Sequence, residues 1–210
     1  MHNRLFSEPL LSGTTPDLET LGLPALPVVG DDLARIAGSV DFYGVNFYNP
    51  TTVTAAAPGA AIPFEIVPTP GVPVTGFGPE WPIMPSALRD LLIDLRARHP
   101  RMPPVIIGEN GASFPEPDTA GPVDDADRIA YLAAHIDAVG EAIEAGVPVE
   151  EYTVWSLLDN WEWTDGYTQR FGLVHVDFTT GARTPKASYG WYRDLIARAR
   201  SSRRTSAASA

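Results

Sequence analysis

The chain has 210 residues, 44% of them hydrophobic, and carries a formal charge of −11. That balance suits one soluble α/β-sized domain and argues against nucleic acid or an anionic membrane as partner. Cysteine is absent, which excludes a disulfide framework and a thiolate metal site. In the first 40 residues no run reads as a central strand, because Pro24 and Pro27 interrupt the apolar stretch Leu23 to Val29. Asp31 or Asp32 is placed to cap a short helix through Ala37, ended by Gly38. The N-terminus lacks a basic segment followed by an apolar core, and no stretch approaches membrane-spanning length, so a cytoplasmic location is expected.

The first strand signal is Val40 to Tyr48, aromatic and apolar, with Asn46 and Tyr48 on one face by alternation. Residues 49–82 are rich in proline and glycine, and read either as a linker or as a functional loop. Phe64, Phe77 and Trp81 weigh against a linker, which seldom carries aromatics. Pro85 opens a helix to about His99 with Leu88, Leu91, Leu92 and Leu95 on one stripe.

Val105 to Gly108 then reads as a short buried strand that stops at Glu109, followed by the turn pair Asn110-Gly111. A carboxylate at a strand's C-terminal tip is either the first solvated residue after the core or, in a parallel α/β barrel, a catalytic group. Asp124 and Asp127 suggest a weakened capping box for a helix that carries Ile129, Leu132, Ile136, Val139 and Ile143 and ends at Gly146. His135 on that helix has no second ligand at metal spacing and reads as structural or solvated.

A third strand, Tyr152 to Leu158, leads into Asp159-Asn160-Trp161-Glu162-Trp163, where three tryptophans from position 155 to 163 alternate with acids. Indole faces beside carboxylates suit a sugar, whose C–H face stacks while its hydroxyls donate; a hydrophobic rim packed for stability is the competing reading. Leu173 to Phe178 alternates as a hairpin edge, Ala187 to Ala199 is amphipathic, and the Ser/Ala/Arg-rich tail is expected to be disordered. Strand, helix, strand, helix, strand is a βα repeat with crossovers suited to parallel pairing.

These blocks resemble the C-terminal part of the family 1 glycoside hydrolases, the retaining β-glucosidases and their relatives. The resemblance rests on Asp41-Phe42-Tyr43-Gly44-Val45-Asn46-Phe47-Tyr48, Ile107-Gly108-Glu109-Asn110-Gly111, Trp155 to Trp163 and Arg170-Phe171-Gly172-Leu173. Gly108 stands where that family usually has threonine. The resemblance implies an α/β fold made of about strands six to eight of a (β/α)8 TIM barrel, incomplete as a barrel, over residues 1–198, with 199–210 as the disordered tail. It implies Glu109 as nucleophile, Tyr48 as its hydrogen-bonding partner, Asn46 beside them, Trp155 as the sugar platform, Glu162 and Trp163 on the sugar hydroxyls and Phe171 near C6. A carboxylate at Glu162 would repel a 6-phosphate, unlike the phospho-glycosidase branch. No cofactor and no metal ion is expected.

The implied activity is hydrolysis of terminal non-reducing β-D-glucosyl, or related β-glycosyl, groups by a retaining mechanism, as part of a full-length β-glucosidase. Such a mechanism needs a second carboxylate about 5–5.5 Å from the first. The Asn-Glu-Pro motif that supplies it in the family is absent here, and neither Glu8-Pro9 nor Glu116-Pro117 lies where that motif belongs. The family's glycone-binding Gln and His-Trp pair are also missing. The chain by itself is therefore expected to be inactive: half an enzyme whose partners are a β-glycoside and a missing N-terminal half of the barrel. Alternatives are a non-catalytic sugar-binding protein or a split-barrel complementation partner.

Overall fold

A computed structural model describes residues 4–19, 31–116 and 122–208, with Pro24 and Pro27, and side chains as far as 201. The β-branched run at the centre of the sequence becomes β4 (Val105–Asn110), flanked by β1 (Tyr43–Asn46) and β5 (Val149–Val154). All three are parallel, in the order β1-β4-β5. Tyr43 pairs with Val105 and Val45 with Ile107, and the register slips between Val45 and Asn46, where the two strands deliver their polar ends. Among the described residues nothing pairs with the outer edge of β1 or of β5.

Parallel strands need long crossovers. Here α3 (Pro85–Arg98) precedes β4, and α4 (Ala126–Glu144) links β4 to β5. Leu88, Leu92 and Leu95 of α3 pack with Val45, Phe47, Val105, Ile107, Val139 and Ala142 into the main core. Val105 and Ile107 are fully buried under the helices, whereas Ile106 and Gly108 on the opposite face are only half-buried. A parallel sheet normally has both faces covered, so this one is an open segment of a larger architecture.

Several elements differ from their sequence reading. Residues 4–12 form α1 (Arg4–Ser12), in which Pro9 sits mid-helix, and a five-residue α2 (Asp32–Ile36) follows, its Asp31 cap making no side-chain bond. The apolar stretch Leu23 to Val29 lies outside the described residues apart from its two prolines. The proline-rich segment holds an antiparallel hairpin of β2 (Val53–Ala55) and β3 (Phe64–Ile66). The third strand starts three residues earlier than expected and stops at Val154, because Trp155 turns away into the loop. Leu173 to Phe178 does contain a hairpin strand, β6 (Val174–Val176), paired with β7 (Arg183–Pro185).

The start of α4 is also different: Asp125 is the cap residue, and its carboxylate accepts from Arg128 and Ser188 instead of closing a box with Asp127. The final helix, α5 (Ala187–Ala208), continues through most of the tail expected to be disordered. Alanine and arginine are strong helix formers, and no glycine or proline intervenes to stop them.

Candidate active site

The C-terminal ends of β1 and β4 bring together Glu109, the expected nucleophile, and Tyr48, its expected partner. The Tyr48 hydroxyl donates to Oε2 of Glu109 at 2.5 Å, and the Phe47 N–H donates to the Glu109 carbonyl at 2.9 Å. Burial first, and then the hydrogen bond and charge of Glu109, push the Tyr48 phenol far above its ordinary range. It therefore stays protonated and acts as a donor, leaving Oε1 of the carboxylate with no competing protein bond among those described.

Asn110 locks this pair from below. Although Asn110-Gly111 reads as a turn, Asn110 is the last residue of β4 and is wholly buried. Its Nδ2 donates to the Phe47 carbonyl at 2.7 Å and to the Tyr131 hydroxyl at 3.2 Å; that hydroxyl donates to the Tyr48 carbonyl at 2.9 Å, and Tyr152 donates to Asn110 Oδ1. The backbone on either side of the Tyr48–Glu109 bond is thus fixed by one amide and two phenols. Gly111 is required by space: a Cβ there would stand 1.8 Å from the Trp155 carbonyl.

Trp155 follows β5, its N–H donating to the Asn110 carbonyl at 2.9 Å. Its indole also hydrogen-bonds the Glu162 carboxylate, which brings the two expected sugar contacts together. Burial, opposed by that bond and reinforced by the charges of Asp165 and Glu109, raises the Glu162 pKa. Phe171 is buried edge-on to Tyr48 at 6.1 Å, within a block completed by Phe77 and Trp81, which stack at 4.2 Å. Trp81 lies 5.6 Å from the Tyr48 ring.

Two expected residues stand apart. Trp163 is 81% exposed with φ 41° and no ring contact among the described residues. Asn46 is exposed, with Oδ1 against Gly108, where a Cβ would stand 2.9 Å away.

The loops that carry these groups rest on a buried ion network. Asp159 Oδ1 accepts from the Lys186 ammonium at 3.0 Å and from the Gly172 N–H at 2.9 Å, while Glu116 accepts from Arg128 at 2.6 Å and also from Lys186. Glu116, Asp159 and His175 offer ligand atoms within 4.8 Å of one another, but the ammonium already lies between the two carboxylates. Both glutamates that precede a proline are engaged in ion pairs, Glu116 here and Glu8 with Arg4 on α1 at 2.5 Å.

Parallel strands joined by helices, with a hydrogen-bonded carboxylate at one strand end and indoles and a second acid on the loop after the next strand, place the chain in the α/β-barrel class. Residues 1–201 match the family described as Glycosyl hydrolase family 1, and the chain belongs to that family. It is 39% identical to a beta-glucosidase of Agrobacterium sp. over 92% of its own length and 42% of that protein's. Beta-glucosidase A of Thermotoga maritima is 38% identical, with 91% of this chain and 43% of that protein covered. Among solved structures, a psychrophilic beta-glucosidase from Micrococcus antarcticus superposes with a TM-score of 0.82 at 37% identity, covering 93% of this chain and 46% of that one. The chain spans less than half the length of these relatives and matches their C-terminal part. Its three-stranded sheet is an unclosed portion of a (β/α)8 barrel.

Proposed function

We propose that this chain supplies the nucleophile-bearing half of a retaining β-glycosidase site, and that turnover of terminal β-D-glucosyl or related β-glycosyl groups requires the rest of the barrel. The 2.5 Å bond between Tyr48 and Glu109 carries the reading. A carboxylate held by one oxygen at a strand tip can present the other to an anomeric carbon. Glu109 attacks that carbon and forms a glycosyl ester as the aglycone leaves; water then cleaves the ester and releases the sugar with its configuration retained. Trp155 stacks beneath the sugar, Glu162 and Trp163 take its hydroxyls, Phe171 stands near C6, and Asn46 lies beside the nucleophile.

The proton for the departing aglycone comes from a second carboxyl group, which belongs on the absent part of the barrel. Glu8 and Glu116 are held by cations, and this favours their exclusion from that role. Incubated alone with an aryl β-glucoside, the purified chain is expected to release no aglycone above background. Co-expressed with the N-terminal portion of the Agrobacterium sp. beta-glucosidase, it is expected to gain turnover that Glu109→Gln abolishes. A 2-deoxy-2-fluoroglucoside should then leave a mass adduct on the peptide containing Glu109. Turnover by the chain alone, or an adduct elsewhere, would sink this reading.

A further inference from the structure

Tyr48 lies two residues beyond the end of β1, and the last bond from that segment to β4 before it runs from the Phe47 N–H to the Glu109 carbonyl. The Tyr48 ring rests against Trp81 and Phe171, and its carbonyl accepts from the Tyr131 hydroxyl at 2.9 Å. Tyr131 stands on the second turn of α4 and is buried. Burial pushes its phenol above the ordinary range, so it remains a donor. The same hydroxyl accepts from Asn110, the neighbour of Glu109, so one oxygen ties the two strand tips together. Behind the Tyr131 ring, His135 stacks at 4.0 Å. A carbonyl only accepts, so His135 Nδ1, 2.8 Å from the Tyr131 carbonyl, carries the hydrogen. Burial keeps that ring neutral, and its Nε2 has no partner among the described residues. The imidazole, pinned to the backbone of α4, fixes the plane of the phenol it stacks on.

We infer that Tyr131 is a positioning residue for the nucleophile: through its hydroxyl, α4 sets the Tyr48 backbone and with it the phenol that holds Oε2 of Glu109. The inference rests on the proposed function, in which the other oxygen of Glu109 attacks the anomeric carbon. The side-chain bond described to Glu109 comes from Tyr48, so Tyr131 acts through that residue. A phenol hydroxyl stands a whole side chain away from its own Cα, and a small backbone rotation at Tyr48 swings it off the carboxylate. The carboxylate is then free to turn, and a misplacement of about 1 Å can slow a reaction about 100-fold.

The test uses the chain reconstituted with a saturating amount of the N-terminal portion of the Agrobacterium sp. beta-glucosidase and, as probe, a dinitrophenyl 2-deoxy-2-fluoroglucoside. Glu109 forms a C–O bond to the anomeric carbon as dinitrophenolate departs with the electron pair of the bond that breaks. That anion needs no proton, so the labelling rate reads the nucleophile and not the acid. Tyr131→Phe keeps the ring on His135 and loses the hydroxyl; it should label about 10-fold more slowly. In a Tyr48→Phe background the same change should cost no more than about twofold, because the phenol through which it acts is gone. Tyr192→Phe removes a like bond, from a phenol to the Tyr152 carbonyl at 2.9 Å, and should leave the rate unchanged. Far-ultraviolet circular dichroism of each variant confirms that it is folded. In the chain alone, the Tyr48 hydroxyl proton, donated at 2.5 Å to a carboxylate, should resonate far downfield in NMR and move upfield in Tyr131→Phe. An unmoved resonance, labelling as fast as the parent, or an effect that multiplies with that of Tyr48→Phe overturns the positioning role while the proposed function stands. A reconstituted parent that is not labelled overturns both.

Discussion

Glu109 gains its geometry from a residue 61 positions earlier, and the Tyr48 hydroxyl at 2.5 Å is the side-chain bond described to it. Removing that hydroxyl with Tyr48→Phe takes away a bond to a charged group, about 1.5–3 kcal/mol, and should slow the reconstituted enzyme about 10- to 100-fold. Steady-state kinetics with an aryl glucoside would check it. Glu162 can be followed in the chain alone. Its pKa lies above the ordinary carboxylate range, chiefly through burial, and its carboxylate accepts from the Trp155 indole. Tryptophan emission should therefore step at a pH above that of a free carboxylate, and Glu162→Gln should remove the step. That Tyr48 meets Glu109, and Trp155 meets Glu162, was legible in the sequence through the motifs that carry them. Asn110, Tyr131 and Tyr152 were not. Their bonds join residues as far apart as 83 positions, and an Asn-Gly pair reads as a turn until Trp155 packs against the glycine. Phe77 and Trp81 gave only their aromaticity as a sign, enough to question a linker but not to place them beside Tyr48.

At the scale of elements, α4 shows how a polar residue can occupy a buried face. Its apolar stripe was read through Ile129, Leu132, Ile136, Val139 and Ile143; Leu132 and Val139 are indeed buried, but the inward face also holds Arg128, Tyr131, His135, Ala138 and Ala142, and Ile143 is 47% exposed. Hydropathy alone finds only part of the face, because Arg128 and His135 are tolerated inside by partners that no periodicity reveals. Arg128 donates to Asp125 and Glu116, and His135 bonds the Tyr131 carbonyl at 2.8 Å while stacking on its ring. Burial lowers the His135 pKa to about 4. The folded state then binds this proton more weakly than the unfolded state. Its stability is fully present above the unfolded value of about 6.5 and falls as the pH drops toward 4, by roughly 3 kcal/mol in all. Urea unfolding at a series of pH values should show that fall, and His135→Leu should flatten it by a similar amount. Lys186 is a sharper case. Its ammonium is buried between Glu116 and Asp159, with burial lowering its pKa against the pull of both acids. Lys186→Met strands the two carboxylates with fewer cations and should cost about 3–5 kcal/mol in the same assay.

For the whole molecule, the parallel sheet was legible as a βα alternation, but its openness follows only from counting strands against the eight that a barrel requires. An open sheet should show itself in hydrogen exchange. Val105 and Ile107 lie in the central strand, with pairing on both sides and helices above them, so their amides open only with the global fold. Gly44 and Asn46 belong to the same sheet, yet their amides face the unpaired side of β1. In two-dimensional NMR of the chain alone, those two amides should exchange orders of magnitude faster than Val105 and Ile107. Equal protection at all four positions would mean that the edge is already covered, by self-association or by a rearranged segment, and that the half-barrel is not what exists in solution. On forming the complex with an N-terminal portion, the Gly44 and Asn46 amides should slow toward the central-strand rate. Exchange thus separates closure of the sheet from chemistry at Glu109, since an assembly can pair its strands and still lack the acid that turnover demands.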